Sequence, residues 1–140
     1  MEINYPTNLK AISIHAPFAY AICLGLKREE YRTQPTKRRG WVLVHASLSK
    51  ASDEYFTTYN INPSTVKRGA IIGAVKINGC TGSVGNWAYQ LDTPVLFEQP
   101  IEEVKGKQAI FWGANSQELQ FAFTLASQQI AKFLNTKELS

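Results

Sequence analysis

The sequence predicts an α+β fold: a mixed sheet that curls into a small barrel, with helices at its ends or sides. Three observations predict it. Short runs with two-residue alternation recur along the chain, separated by turns marked with Gly and Pro. Helical spacing appears in only a few places among them. The run Trp41 to Ala46 is almost wholly apolar, as a strand covered on both faces must be. At 140 residues the chain reads as a single domain over 1–140, with no linker, repeat or low-complexity tract to divide it.

Residues 1 to 8 read as a loose arm. Leu9 to His15 is a strand, with Ile12 and Ile14 on one face and Ala11, Ser13 and His15 on the other. Pro17 suits the first position of a helix, where its missing N–H costs nothing. Phe18, Ala21 and Ile22 share a face of that helix, and Gly25 suits the left-handed residue after its last turn. Glu29 to Thr33 is extended, which puts Glu30 and Arg32 on one side and Tyr31 and Thr33 on the other. Gln34 to Gly40 is a loop. Trp41 to Ala46 follows as a central strand.

Ser49 to Asn60 reads as helical, since Ala51, Tyr55, Phe56 and Tyr59 recur at helical spacing. Ala70 to Ile77 is a strand in which Gly73 marks a bulge or a close approach. Gly79 to Asn86 is rich in Gly and Ser and reads as a loop. Short strands flank Thr93-Pro94 and Gln99-Pro100, and Ala109 to Trp112 reads as a last strand. A C-terminal helix over 115–137 is capped by Asn115 with Glu118 three residues on. Its stripe of Leu119, Ala122, Phe123, Ala126, Ile130, Phe133 and Leu134 packs it on the sheet.

The hydrophobic fraction of 44% and charged fraction of 19% belong to a folded chain, not a disordered one. The net charge of +4 tilts the partners toward polyanions such as nucleic acid. Cys23 and Cys80 form no C-x-x-C pair, so reduced thiols and a cytoplasmic location are expected. Neither cysteine has metal-ligand spacing to His15 or His45, so no metal and no cofactor is expected. The N-terminus lacks the pattern of a signal peptide, and no run approaches the ~18 apolar residues of a membrane span.

Charge concentrates in Gly25-Leu26-Lys27-Arg28-Glu29-Glu30-Tyr31-Arg32, and again in Lys37-Arg38-Arg39. The first segment has the form G-x-K-x-x-E-x-R and resembles the signature of ASCH domains, the activating signal cointegrator homology family. Four further blocks follow that family's order: Ser13-Ile14-His15-Ala16-Pro17-Phe18-Ala19; Arg38-Arg39-Gly40 with Val42 to Ser47; Ala70-Ile71-Ile72-Gly73; and Pro100-Ile101 with Lys105-Gly106-Lys107-Gln108. The resemblance covers about residues 9–112. It implies a PUA-like curved β-barrel with flanking helices and a cleft beside the signature.

The resemblance also implies binding of RNA or a nucleotide-like ligand. Some family members resemble nucleases, and some short ones are amidohydrolases on acylated cytidine. Those short members have Thr where this chain has Glu30, and an aromatic is commoner than Arg38 at its position. Lys27 and Arg32 suit phosphate, Arg32 in bidentate fashion. Glu30 suits a general base or an acceptor from a base edge, and equally a structural partner of Arg32 or Lys27. Lys37, Arg38 and Arg39 would neutralise backbone phosphates without reading sequence. His45 and Ser47 would complete the ligand contacts, although a hydrogen-bonded structural histidine is the more ordinary role for His45. If the protein is a hydrolase, Lys27 and Glu30 are its catalytic pair. A third reading is a protein-interaction module using the aromatic and C-terminal helix surfaces.

Overall fold

A computed structural model describes residues 8–51 and 53–139. Apart from Asn8, the expected N-terminal arm lies outside the described residues. The first elements are β1 (Lys10–Ala16), α1 (Phe18–Cys23), β2 (Glu29–Arg32) and β3 (Gly40–Lys50). They are followed by α2 (Asp53–Thr58), β4 (Ala70–Ser83), β5 (Asn86–Ile101) and α3 (Gln117–Leu139). The five strands make one sheet in the order β1-β3-β4-β5-β2. β1 runs parallel to β3, and every other neighbouring pair is antiparallel.

Alternation decides the two faces of the sheet. One face carries Ile12, Ile14, Val42, Val44, Ile72 and Ile77, and α1 covers it with Ala19, Ile22 and Cys23. The other carries Ala11, Leu43, Ile71, Ala74 and Val95 beneath Phe123, Ala126 and Ile130 of α3. β3 therefore is the doubly covered interior strand that its apolar run demands. Gly73 is a close approach: a β-carbon there would meet the Val95 carbonyl and come within 2.6 Å of Cys23 Sγ. Among the described residues no helix is long and apolar enough to cross a membrane.

The expected barrel is not closed. β1 and β2 are the two edges of the sheet, and no backbone ladder joins them. Other groups occupy the seam. At one end Trp112 exchanges two backbone hydrogen bonds with Ala11 of β1, at 2.8 and 3.0 Å. Next to Trp112, Phe111 stacks on Tyr89 of β5, with ring centroids 6.0 Å apart. Further along, Arg32 of β2 donates from Nη2 to the Ser13 carbonyl of β1 at 2.9 Å.

Other boundaries differ from the sequence reading for local reasons. Gly79 to Ser83 is not loop but the end of β4, paired with β5 down to Ser83 and Asn86. The strands flanking Thr93-Pro94 are one strand, because a register shift between Ala74 and Lys76 absorbs the proline. Ala109 to Trp112 forms no strand, only the single bridge to Ala11. Helix α2 is confined to Asp53–Thr58, since β3 continues to Lys50. Ser116, not Asn115, caps α3: its Oγ accepts from the Leu119 amide at 3.2 Å.

Candidate functional site

The end of α1 sets up the site. Gly25 takes the left-handed conformation at φ +79, and its amide bonds the Ile22 carbonyl at 3.0 Å. The amides of Leu26 and Lys27 then both turn back to the Ala21 carbonyl, at 2.8 and 3.2 Å. This tight exit brings Lys27 beside the start of β2. There the alternation holds as expected: Glu30 is buried and Arg32 half-buried on the inward side, while Tyr31 is exposed. Glu30 sits opposite Tyr89 and Arg32 opposite Trp87 on β5.

Lys27, Glu30 and Arg32 converge. Glu30 Oε1 takes Lys27 Nζ at 3.3 Å, and Glu30 Oε2 takes Arg32 Nη2 at 2.8 Å and Nε at 2.9 Å. Arg32 thus grips one carboxylate oxygen with two nitrogens while Nη2 also reaches Ser13. Lys27 donates a second hydrogen bond to the Glu29 carbonyl and sits 5.0 Å from the centre of the Tyr31 ring. Of its three N–H donors, two are engaged in hydrogen bonds among the described residues. Two cations and one anion give the cluster a net charge of +1.

These groups line an open cleft of about 610 Å³ between the unpaired edges of β1 and β2. Its other walls are Ser13 and His15 on β1, Phe18 at the start of α1, Tyr31, and Tyr59 after α2. Phe18 is braced by Tyr55 and Tyr59, with centroids 5.2 and 6.2 Å away. The exposed Tyr31 hydroxyl donates to Glu29 Oε1 at 3.0 Å, and that carboxylate pushes the phenol's pKa up. The cleft therefore sets aromatic rings beside a cluster with net positive charge. That is suited to a planar ring carrying negative charge.

The remaining predicted residues lie elsewhere. Lys37, Arg38 and Arg39 belong to the loop leaving β2, and none of them lines the cleft. The Arg38 guanidinium lies 5.3 Å from the Phe111 ring centre and donates to the Asn8 carbonyl at 3.4 Å. Arg39 Nη1 bonds its own loop, at Thr36 O and Arg38 O. Lys37 is exposed.

His45 is only 1% exposed and has no surface to offer a ligand. Its Nε2 lies 2.6 Å from the Val104 carbonyl and its Nδ1 3.0 Å from Ser13 Oγ. A carbonyl only accepts, so Nε2 carries the proton and the Ser13 hydroxyl donates to Nδ1. Trp112 Nε1 donates in turn to Ser13 Oγ at 3.1 Å. Burial lowers the His45 pKa, with the bond to Val104 acting against it. His45 is thus a buried strut behind the β1 lip of the cleft. Ser47 is half-buried further along β3, where its hydroxyl donates to the Ser49 carbonyl at 2.9 Å.

Phe18, Tyr59 and Ser13 were not among the sequence candidates. Phe18 and Tyr59 sit at helical spacing in apolar stripes, a pattern that reads as core. Nothing in local spacing brings them to Lys27. Among the described residues there is no group of three or more His, Cys, Asp or Glu placed to hold a metal ion.

Comparison with protein-family models matches residues 12–123 to the ASCH domain. The chain belongs to the ASCH domain family. The match takes in the whole cleft and extends into α3, beyond the 9–112 of the sequence motifs. ASCH domains are PUA-like and often linked to RNA binding. Among solved structures the chain is similar to ASCH from Zymomonas mobilis, with a TM-score of 0.57 and 16% identity over 87% of this chain and 96% of that one. It is also similar to a serine-to-alanine mutant of that Zymomonas mobilis protein, with a TM-score of 0.55 and 14% identity over 93% and 99%. At such identities the likeness establishes the fold alone. No curated protein sequence matches the chain.

Proposed function

We propose that this ASCH domain binds RNA, or a nucleotide-like ligand, in the cleft between β1 and β2. One observation carries the reading: Lys27, Glu30 and Arg32 meet on an open hollow walled by Tyr31, Phe18 and Tyr59. A base stacks against the aromatic wall, and the phosphate takes the remaining Lys27 donor and the outer side of Arg32. Glu30 positions the two cations. The charged loop at Lys37, Arg38 and Arg39 serves backbone phosphates of a strand that runs past the seam. Reduced Cys23 and Cys80 fit a cytoplasmic setting for this activity.

Hydrolysis would need Lys27 or Glu30 to take a proton from water or a ribose hydroxyl. Each already holds the other, so the geometry favours a binding role. The test is titration of a labelled single-stranded RNA at several salt concentrations. Affinity should fall steeply with salt, and Lys27→Ala should weaken binding about tenfold while lowering the log–log salt slope by about one. Salt-independent binding, or full affinity in Lys27→Ala, would overturn the proposal.

A further inference from the structure

Lys27 lines a second hollow as well. This cavity of about 230 Å³ lies between the end of α1 and β5, against Thr93 and Pro94. Its lining is apolar in part, from Ile22, Val75, Leu91 and Pro94, and polar in part, from Arg28, Asp92 and Thr93 beside Lys27. A nucleoside has the same division, with flat apolar faces and polar edges.

The polar part is held in place at some cost. Thr93 is β-branched yet sits at φ +50, a backbone region such residues rarely enter. Its hydroxyl donates to Asp92 Oδ1 at 2.8 Å, and Asn78 Nδ2 donates to Asp92 Oδ2 at 2.5 Å. Both Asp92 carboxylate oxygens are thereby held in place, each with a lone pair left to accept a further hydrogen bond. Arg28 is exposed next to it, and its backbone carbonyl is tied to the Leu91 amide at 3.0 Å.

Resting on the cleft reading above, we propose that the ligand is a strand and not a mononucleotide. One nucleotide lies in the larger cleft, the next in the cavity against Thr93, and the phosphate joining them crosses Lys27. Lys27 is the lining residue common to both hollows, which makes it the crossing point for a linking phosphate in this proposal.

The experiment compares the four 5′-ribonucleotides with the matching 5′-phosphorylated dinucleotides by calorimetry. The wild-type chain should bind dinucleotides at least ~10-fold more tightly, the gain expected from one added base. Thr93→Phe, which fills the cavity, and Arg28→Ala, which removes an exposed charge, should each bring that ratio toward one. Mononucleotide affinity should stay within about twofold in both variants, and circular dichroism checks that they fold. Equal binding of the two probes by the wild type, or a ratio that survives both variants, overturns the proposal. Failure of every probe to bind, or indifference of the mononucleotide to Lys27→Ala, overturns the cleft reading instead.

Discussion

Arg32 and Ser13 stand on opposite edges of the sheet, and a single hydrogen bond of 2.9 Å from the guanidinium to the Ser13 carbonyl spans the gap. The same guanidinium holds Glu30. One side chain therefore fixes both the width of the cleft and the orientation of its carboxylate.

Arg32→Ala should accordingly cost roughly 3 kcal/mol in urea unfolding, because it leaves a buried carboxylate with Lys27 as its remaining partner. Arg32→Lys should recover only part of that loss. An ammonium lacks the planar fork that serves Glu30 and Ser13 together. Equal stability of the lysine variant and the wild type would show that the bridge is not structural.

Glu30→Gln keeps the shape of the side chain and removes its charge. Lys27 and Arg32 then flank a neutral amide, and the charge of the cluster rises from +1 to +2. Stability should fall by about 1–3 kcal/mol. Phosphate in the buffer should restore more of it than chloride at equal ionic strength. RNA affinity should hold or increase, and a loss of more than tenfold would mean that Glu30 touches the ligand directly.

His45 sets an acid limit on stability. Its folded pKa lies below the ordinary 6.5 because burial disfavours the charged ring. Above 6.5 both states are neutral and the contribution is complete. As pH falls below 6.5 the unfolded chain takes up a proton that the native chain refuses, so stability declines until the lowered native pKa is reached. Unfolding midpoints between pH 8 and 5 should show this decline. Titration of the ring by NMR should place His45 below the unfolded value, and a midpoint at or above 6.5 would contradict the buried neutral tautomer.

Gly106 closes over the Ser13–His45 pair. A β-carbon there would collide with Ser13 Oγ and come within 2.8 Å of His45 Cε1. Gly106→Ala should cost about 1–3 kcal/mol in chemical unfolding, since both neighbours are held by hydrogen bonds and give way poorly. A neutral substitution would show that the 105–107 turn shifts freely.

Much of this architecture was legible because it depends on near neighbours. Two-residue alternation alone placed Glu30 and Arg32 together and separated Ile12 and Ile14 from Ser13. Pro17 and Gly25 marked the ends of α1, and the stripe on α3 identified its buried face as far as Phe133, with Leu134 exposed. Illegible features depended on partners distant in the chain. Gly79 to Ser83 is strand only because Ala88 and its neighbours pair with it. Pro94 breaks no strand because the opposite strand shifts register to accommodate it. The aromatic wall of the cleft needs β1, α1 and α2 packed before Phe18 and Tyr59 face Lys27. His45 ended a conspicuous strand beside the motif blocks, yet its two ring nitrogens found partners 32 and 59 residues away.

The incomplete circle of the sheet leaves its weakest join beside the cleft. Strands held by ladders part only when many bonds fail at once, whereas the stitch at Arg32 can be undone alone. In the binding reading proposed above, an anion that drew the guanidinium toward itself would slacken that stitch and gain room as it enters. Recognition and local compliance would then be the same event, with the rest of the scaffold standing still.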